Sequence, residues 1–464
     1  MLQKLSYAFG NFAQGVGPAI VGGWLQYFYT KTETSVSGTV VGPGTALLAF
    51  TTFGTIAAGA RLMESFANPV VGYFSDRIRT RFGRRRPFIV ALTPVLALTF
   101  VGLWFPPFAV SGVGNAVWLG VTLGLFWLAF AGVVGPYLSL LPEITPYSRE
   151  RIQVSTMMGY LEVAGFLAAT MGAGAVIQAA ASGVQLGPVN FSDGYQLLAV
   201  VVGVVILAGS LLSVRFITEK PHSAAKEVSY TFAGAIRRTF ANELFLPYVA
   251  AVSLFRIGID SVIVAIPFLV VRVLGAGEGV AGLLQGAVAV AAVLLFPLVS
   301  LLAGRHGKRA VYLAGLAGFA VGLPLLYFVA DAPFLGKPVV AALGAAGVGF
   351  ADPVMAIRIA HVVLVLVIIA FPVSTSFVLP RAILADVIDE DERITGFRRE
   401  AMYNGTEALL SRAAAAAVPL VTTQLFATFG ATSAEPLGIL LVGPVAGCFV
   451  LVGAVIFRRY RSRD

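Results

Sequence analysis

Between Phe88 and Pro142 the chain carries no charged residue. Soluble domains hold about one charged residue in four, so a stretch this long cannot belong to one. It is also too long for a single bilayer crossing of roughly 20 residues, and suits two. A turn signal, "FPPFAVSGVGN" at 105–115, breaks it where the chain must reverse. Further charge-free runs cover 163–192, 195–214, 310–330 and 413–434. Over all 464 residues, 58% are hydrophobic and 12% charged. There is too little polar surface to face water on all sides, so lipid is the solvent. The reading is an all-α membrane protein.

Twelve candidate spans fall near 5–29, 44–75, 87–110, 114–142, 152–182, 194–216, 244–273, 279–303, 310–330, 357–385, 400–428 and 436–457. The first is long and lacks a small-residue cleavage site, so it reads as a span and not as a signal peptide. Segment 331–356 is apolar but punctuated by Pro and Gly, and reads as a long outer loop or a re-entrant piece. The longest polar stretch, 217–243, reads as a cytoplasmic linker, partly helical around 230–241. It separates two six-helix bundles, 1–216 and 244–464.

In "SDRIRTRFGRRRPFIV", 75–90, six arginines lie within ten residues. An even number of spans puts both termini on one side. With the amino terminus inside, the inner segments hold 24 Lys and Arg. The outer ones hold Lys31, Arg272, Lys337 and Arg358, and Arg61, Arg256, Arg381 and Arg412 lie in or at the edge of spans. Such a bias marks the cytoplasmic side, predicting an integral plasma-membrane protein with both termini cytoplasmic. The arginine run then anchors topology against anionic headgroups, and its place at a membrane excludes nucleic acid as partner. A weaker echo, "LLAGRHGKRAVYL" at 301–313, lies between spans eight and nine, half a chain away. Duplicated carriers of this kind hold substrate near the midplane, between the halves, and rock around it.

A charge at the bilayer centre costs on the order of 3 kcal/mol or more, so each one needs a reason. Span two holds Arg61 and Glu64, three apart and so on one helical face. Asn68 and Pro69 follow. Pro69 lacks an N–H and crowds the carbonyl of Ser65, leaving oxygen ligands beside a carboxylate. Arg61, Glu64 and Asn68 are the candidate cation or proton site. Glu162 in span five, Arg256 and Asp260 in span seven, and Glu407 and Arg412 in span eleven are candidates for the substrate cavity. So are Asn11 and Gln14 in the Gly-rich first span, and Trp127 in span four, which could stack on a substrate or simply pack. Structural ion pairs that lock helices are the alternative for Arg256 and Asp260. Cys448 is the single cysteine and reads as a small buried hydrophobe. His222, His306 and His361 are scattered without a paired metal-ligand motif, so no metal, no cofactor and no enzymatic constellation is expected.

Three stretches, "KLSYAFGNFAQ", "RLMESFANPVVGYFSDRIRTRFGRRRPFIV" and "LADVIDEDERITGFRREAMYNG" at 384–405, resemble the glycoside–pentoside–hexuronide cation symporters of the major facilitator superfamily. The second is similar to plant sucrose carriers and the third to the melibiose permease branch. The resemblance implies twelve transmembrane helices in two bundles, alternating access, and cation-driven uptake of sugars and glycosides. Some relatives instead move lysolipids with sodium. Of the family's two acidic cation ligands on span two, Glu64 matches the first and Asn68 replaces the second. One carboxylate suits a proton better than sodium. The sugar-binding acids on spans one and four align with Gly15 and about Val134, the stacking aromatic with Leu138, and the span-eleven lysine with Arg412. The resemblance also implies an inner latch in which Asp76, Arg77, Arg84, Arg85 and Arg86 pair with helix ends, matched in the second half by Asp386, Arg398 and Arg399 in a "DVIDEDER" loop.

The resulting expectation is a secondary active transporter, a monomer, that couples a proton to a sugar or glycoside. An amphipathic or lipid-like substrate, or uncoupled transport, is the alternative.

Overall fold

The structure is a computed structural model that describes residues 2–217 and 239–460, apart from 32, 37–38, 44–45, 78–79, 81–82, 84, 146–147, 241, 347 and 397–399. It divides into two compact units, Met1–Glu227 with Gly277–Gly286, and Val228–Ala276 with Ala287–Asp464. Outside short hairpins, the described elements are helical.

The first unit holds α1 (Leu2–Thr30), α2 (Phe50–Arg77), α3 (Arg86–Gly102), α4 (Val113–Ile144), α5 (Ser148–Ala179) and α6 (Gly194–Arg215). Strands β1 (Glu33–Val36) and β2 (Thr39–Pro43) form one antiparallel hairpin, β3 (Val184–Leu186) and β4 (Val189–Phe191) another. Asp193 caps α6, its side chain accepting from the Gln196 N–H. Helix α1 packs on α5 and α6, α2 on α4, and α3 on α4 and α6.

The second unit is built from α7 (Phe245–Phe268), which runs on into a π-helical turn Leu269–Leu274, then α8 (Glu278–Leu294), α9 (Phe296–His306) and α10 (Lys308–Gly322). They are followed by α11 (Gly336–Ala345), α12 (Pro353–Thr395), α13 (Glu400–Ala415), α14 (Ala417–Phe429) and α15 (Leu437–Phe457). Helices α8 and α9 form one path bent by 44°. Pro297 explains the break, because it offers no N–H and its ring crowds the carbonyl one turn back. The start of α8, to Gly286, clusters with the first unit. Helix α7 packs on α15 and on α13–α14, α9 on α12, and α10 on α12 and α15. Counting α8–α9 and α13–α14 as one span each, this is the pairing scheme of the first unit again. The first span meets the fifth and sixth, the second meets the fourth, and the third meets the fourth and sixth. The two basic loops share a device as well. Gly83 (φ +105°) and Gly307 (φ +82°) both adopt left-handed backbone just before the third helix of their unit, a conformation that side chains resist.

Among the described residues eight helices are long and apolar enough to cross a membrane, nine if the bent pair counts as one. Helices α1 and α2, of 29 and 28 residues, have the length but not the apolarity. These are the helices that carry Asn11, Gln14, Arg61, Glu64 and Asn68. Large apolar side chains stand on outer faces, such as Leu98, Leu294 and Val321, each more than 70% exposed, as lipid-facing surface requires.

Three expectations are corrected. Segment 331–356 is not a plain loop. Its helix α11 docks so closely on α12 that a Cβ on Gly336 would collide with the Ile357 carbonyl. The "DVIDEDER" stretch is not a loop either, but the last turns of the 43-residue α12. Its residues are helix-compatible, Arg393 pairs with Glu390 one turn back at 2.7 Å, and the helix stops only at Gly396 (φ +73°). Cys448 is exposed on α15, not buried. Of the linker helix expected at 230–241, only 239 and 240 lie among the described residues, and both are helical.

Candidate functional site

In the first unit, the span-two candidates come together on α2 against α4. Glu64 is 3% exposed. Arg61 Nη1 donates to its Oε2 at 3.2 Å, as the three-residue spacing allows. The Arg61 guanidinium carbon also lies 3.7 Å from the centroid of the Trp127 ring. Trp127 is 2% exposed and is wedged by Phe126 and Phe130 at centroid distances of 4.9 and 5.7 Å. The ring face expected to stack on a substrate is therefore covered by Arg61. Asn68 Nδ2 donates to the Glu64 backbone carbonyl at 2.8 Å. Every group set around Glu64 here is a donor or a cation. A desolvated guanidinium over an indole contributes about 2 kcal/mol, and it neutralises a carboxylate that would be costly to bury alone.

A second group joins α1 to α5. Asn11 Nδ2 lies 3.3 Å from the Met158 carbonyl and 3.5 Å from Glu162 Oε2. Glycines permit this approach. A Cβ at Gly15 would stand 3.1 Å from the Glu162 carbonyl, and one at Gly165 2.5 Å from the Phe12 carbonyl. Gln14, one turn beyond Asn11, has a buried Nε2 with no hydrogen bond among the described residues. Glu162 itself is exposed.

In the second unit, Arg256 Nε and Asp260 Oδ2 pair at 2.8 Å on α7, the arginine side chain 59% exposed. Glu407 accepts from Ser411 Oγ at 2.9 Å on α13, with Arg412 half-buried beside it. Arg381 on α12 and Glu407 both lie within electrostatic reach of Tyr248 on α7.

At the basic ends, Lys308 Nζ reaches Asp386 Oδ1 at 2.6 Å, joining α10 to α12. In the first unit Arg85 donates to the Ser139 carbonyl, and Lys4 pairs with Glu150 at 2.9 Å. Arg86 opens α3, and Asp76 and Arg77 fall in the last turn of α2. Arg84, Arg398 and Arg399 lie outside the described residues.

Several arrangements were missed from sequence. Tyr7 and Tyr137 stack at 4.5 Å, each hydroxyl donating to the other's backbone carbonyl. Arg358 donates from Nη1 to the Val273 carbonyl and from Nη2 to the Ala330 carbonyl, both at 3.0 Å. His361 is fully buried. It accepts from the Leu335 N–H at Nδ1 and contacts the Leu325 carbonyl through Nε2, which assigns the Nε2–H tautomer. Trp24, Phe28, Trp104 and Tyr195 form an aromatic cluster with the Lys31 ammonium 4.9 Å over Tyr195. Aromatic density in spans 1, 3 and 6 was the only signal available for that cluster.

The same fold occurs in a bacterial homologue of the human lysosomal transporter Spinster, crystallised inward-facing. The TM-score is 0.66 at 13% identity, over 99% of this chain and 96% of that one. An apolar helical bundle of this layout is a membrane transporter, not an enzyme. The chain belongs to the MFS/sugar transport protein family, whose profile matches residues 6–461. It is 26% identical over 163 residues to the isoprimeverose transporter of Lactiplantibacillus pentosus, covering 35% of this chain and 31% of that one. It is 30% identical over 124 residues to the sphingosine-1-phosphate transporter MFSD2B of Mus musculus, covering 26% and 24%. The matched stretches thus span about a third or less of those curated relatives.

Proposed function

We propose that the chain is a secondary active transporter that works by alternating access and carries a sugar or glycoside together with a proton. The observation that carries the coupling is the buried Arg61–Glu64 pair on an otherwise apolar helix. Glu64 is the ionisable group, and Arg61 is the resident cation it is bound to when empty of a proton. Sodium fits less well, because a hard cation asks for several oxygen ligands. Here the carboxylate faces a guanidinium, and the Asn68 amide donates. The family and the isoprimeverose relative support a glycoside as cargo. Asn11, Gln14 and Glu162 in one unit and Arg256, Asp260, Glu407 and Arg412 in the other supply the polar contacts. The Lys308–Asp386 pair, with Asp76, Arg77, Arg84–Arg86, Arg398 and Arg399, serves as the inner gate.

The distribution of Lys and Arg supports a plasma-membrane protein with both termini cytoplasmic. The chain acts as a monomer in contact with lipid, without a cofactor, and residues 217–243 link two six-helix bundles. A second reading, an amphipathic or lipid-like cargo, is favoured by the sphingosine-1-phosphate relative and by the Gly15, Val134 and Leu138 replacements. Proteoliposomes separate these readings. Isoprimeverose accumulation under an inward proton gradient, abolished by a protonophore and indifferent to sodium, is expected. Accumulation that requires sodium, or none of any glycoside, overturns the first reading.

A further inference from the structure

Arg381 follows Pro380 within α12, five residues before Asp386. Asp386 marks the basic end by its bond to Lys308. At 1.5 Å per residue, Arg381 stands about 7 Å along the helix inside that end. Its side chain is exposed, and it has neither a hydrogen bond nor an ion pair among the described residues. Phe377, Arg381 and Ala385, at helical spacing, form one exposed face of α12. That face is turned toward other helices of the unit. The Phe377 ring lies 6.5 Å from Phe296 of α9, and Arg381 acts on Tyr248 of α7, which also senses Glu407 of α13.

The charges nearby do not cancel Arg381. Asp260 is bound to Arg256 on its own helix, and the Glu407 carboxylate is held by Ser411. A guanidinium inside an apolar bundle is costly unless something neutralises it. Its planar fork suits an oxyanion with two acceptor oxygens, whereas a neutral polyol leaves its charge uncompensated.

We infer that Arg381 recognises an oxyanion, a carboxylate or phosphate, on the transported substrate. This rests on the carrier reading and narrows its cargo to an acidic one. The carboxylate of an acidic sugar and the phosphate of an amphiphile share that chemistry, and two probe pairs distinguish them.

The test is binding to the full chain in neutral-lipid nanodiscs. One pair is phenyl β-glucuronide against phenyl β-glucoside, the other sphingosine 1-phosphate against sphingosine. In one pair the anionic member is expected to bind about tenfold tighter or more. Arg381→Gln should erase that preference, and Arg381→Lys, which keeps the charge without the fork, should retain part of it. Equal binding within both pairs by the unaltered protein overturns the inference without any variant. A preference that survives Arg381→Gln overturns it as well. If that variant does not fold, an undiminished preference in Arg381→Lys counts against the role of the fork. Counterflow in proteoliposomes keeps the two levels apart. Exchange of glucoside and glucuronide at equal rates leaves the carrier standing and removes the oxyanion. Failure of every probe to bind or exchange removes both.

Discussion

Arg61 lies over the face of Trp127 while its Nη1 holds the carboxylate of Glu64, one turn along the same helix. One guanidinium thus joins two side chains that are both nearly inaccessible, and neither contact is independent of the other. Removing the cation leaves a buried carboxylate without its counter-charge, which costs roughly 3–5 kcal/mol. Arg61→Gln should therefore lower the thermal midpoint of the purified protein sharply. Adding Glu64→Gln should restore much of the loss, since a neutral pair can exchange a hydrogen bond. If the double variant is as unstable as Arg61→Gln alone, the ion pair is not what holds this part of α2 to α4.

The coupling role of Glu64 makes a prediction that stability does not. With the carboxyl replaced by an amide, the carrier has nothing to protonate at this position. Glu64→Gln should keep substrate counterflow, which needs only the loaded carrier to reorient, and lose accumulation driven by a proton gradient. Its binding should also become flat with pH where the parent protein's is not. Retained uphill transport in Glu64→Gln would place the proton elsewhere, with Glu162 next to be examined.

What hydropathy could read and what it could not divide along a physical line. The twelve apolar segments each appear as helix, because an apolar run in lipid has no other way to satisfy its backbone. The pairing of Arg61 with Glu64 was legible from spacing, since residues three apart share a face. Trp127 over Arg61 was not, because it depends on how α4 is rotated against α2. Residues 386–395 were misread for a different reason. Charge marks where a chain leaves the apolar layer, not where its helix ends, and α12 continues until Gly396. Arg358 and His361 were passed over as span-edge residues, although they tie the ends of neighbouring helices together.

The meeting of α1 and α5 depends on missing atoms. Gly165 lets the Phe12 carbonyl approach to a distance that a Cβ could not tolerate, 2.5 Å. Gly165→Val should force the helices apart and cost about 1–3 kcal/mol as an overpacked contact. Because Asn11 reaches Glu162 only at 3.5 Å, that bond should break first. Substrate affinity should then fall more than the loss of stability explains. Gly159, with nothing within 4 Å of a built Cβ, is the control on the same helix. Equal damage from Gly159→Val and Gly165→Val would show that the close approach is not the cause.

The Lys308–Asp386 pair should matter to conformational balance more than to folding. Its side chains are 36% and 31% exposed, and ion pairs this open contribute about 1 kcal/mol or less. A bias of that size shifts a two-state population about fivefold. It would be hard to see against the stability of the whole protein. Asp386→Asn should therefore leave the unfolding midpoint nearly unchanged while favouring the state open at the basic end. A reporter cysteine at Gln14, in a Cys448→Ser background because Cys448 is itself exposed, reads this as a changed alkylation rate. Exchanging the partners, Lys308→Asp with Asp386→Lys, should return the rate toward that of the parent. An alkylation rate indifferent to all three variants would mean that this bond closes nothing, and the gate would have to be sought among the arginines before α3.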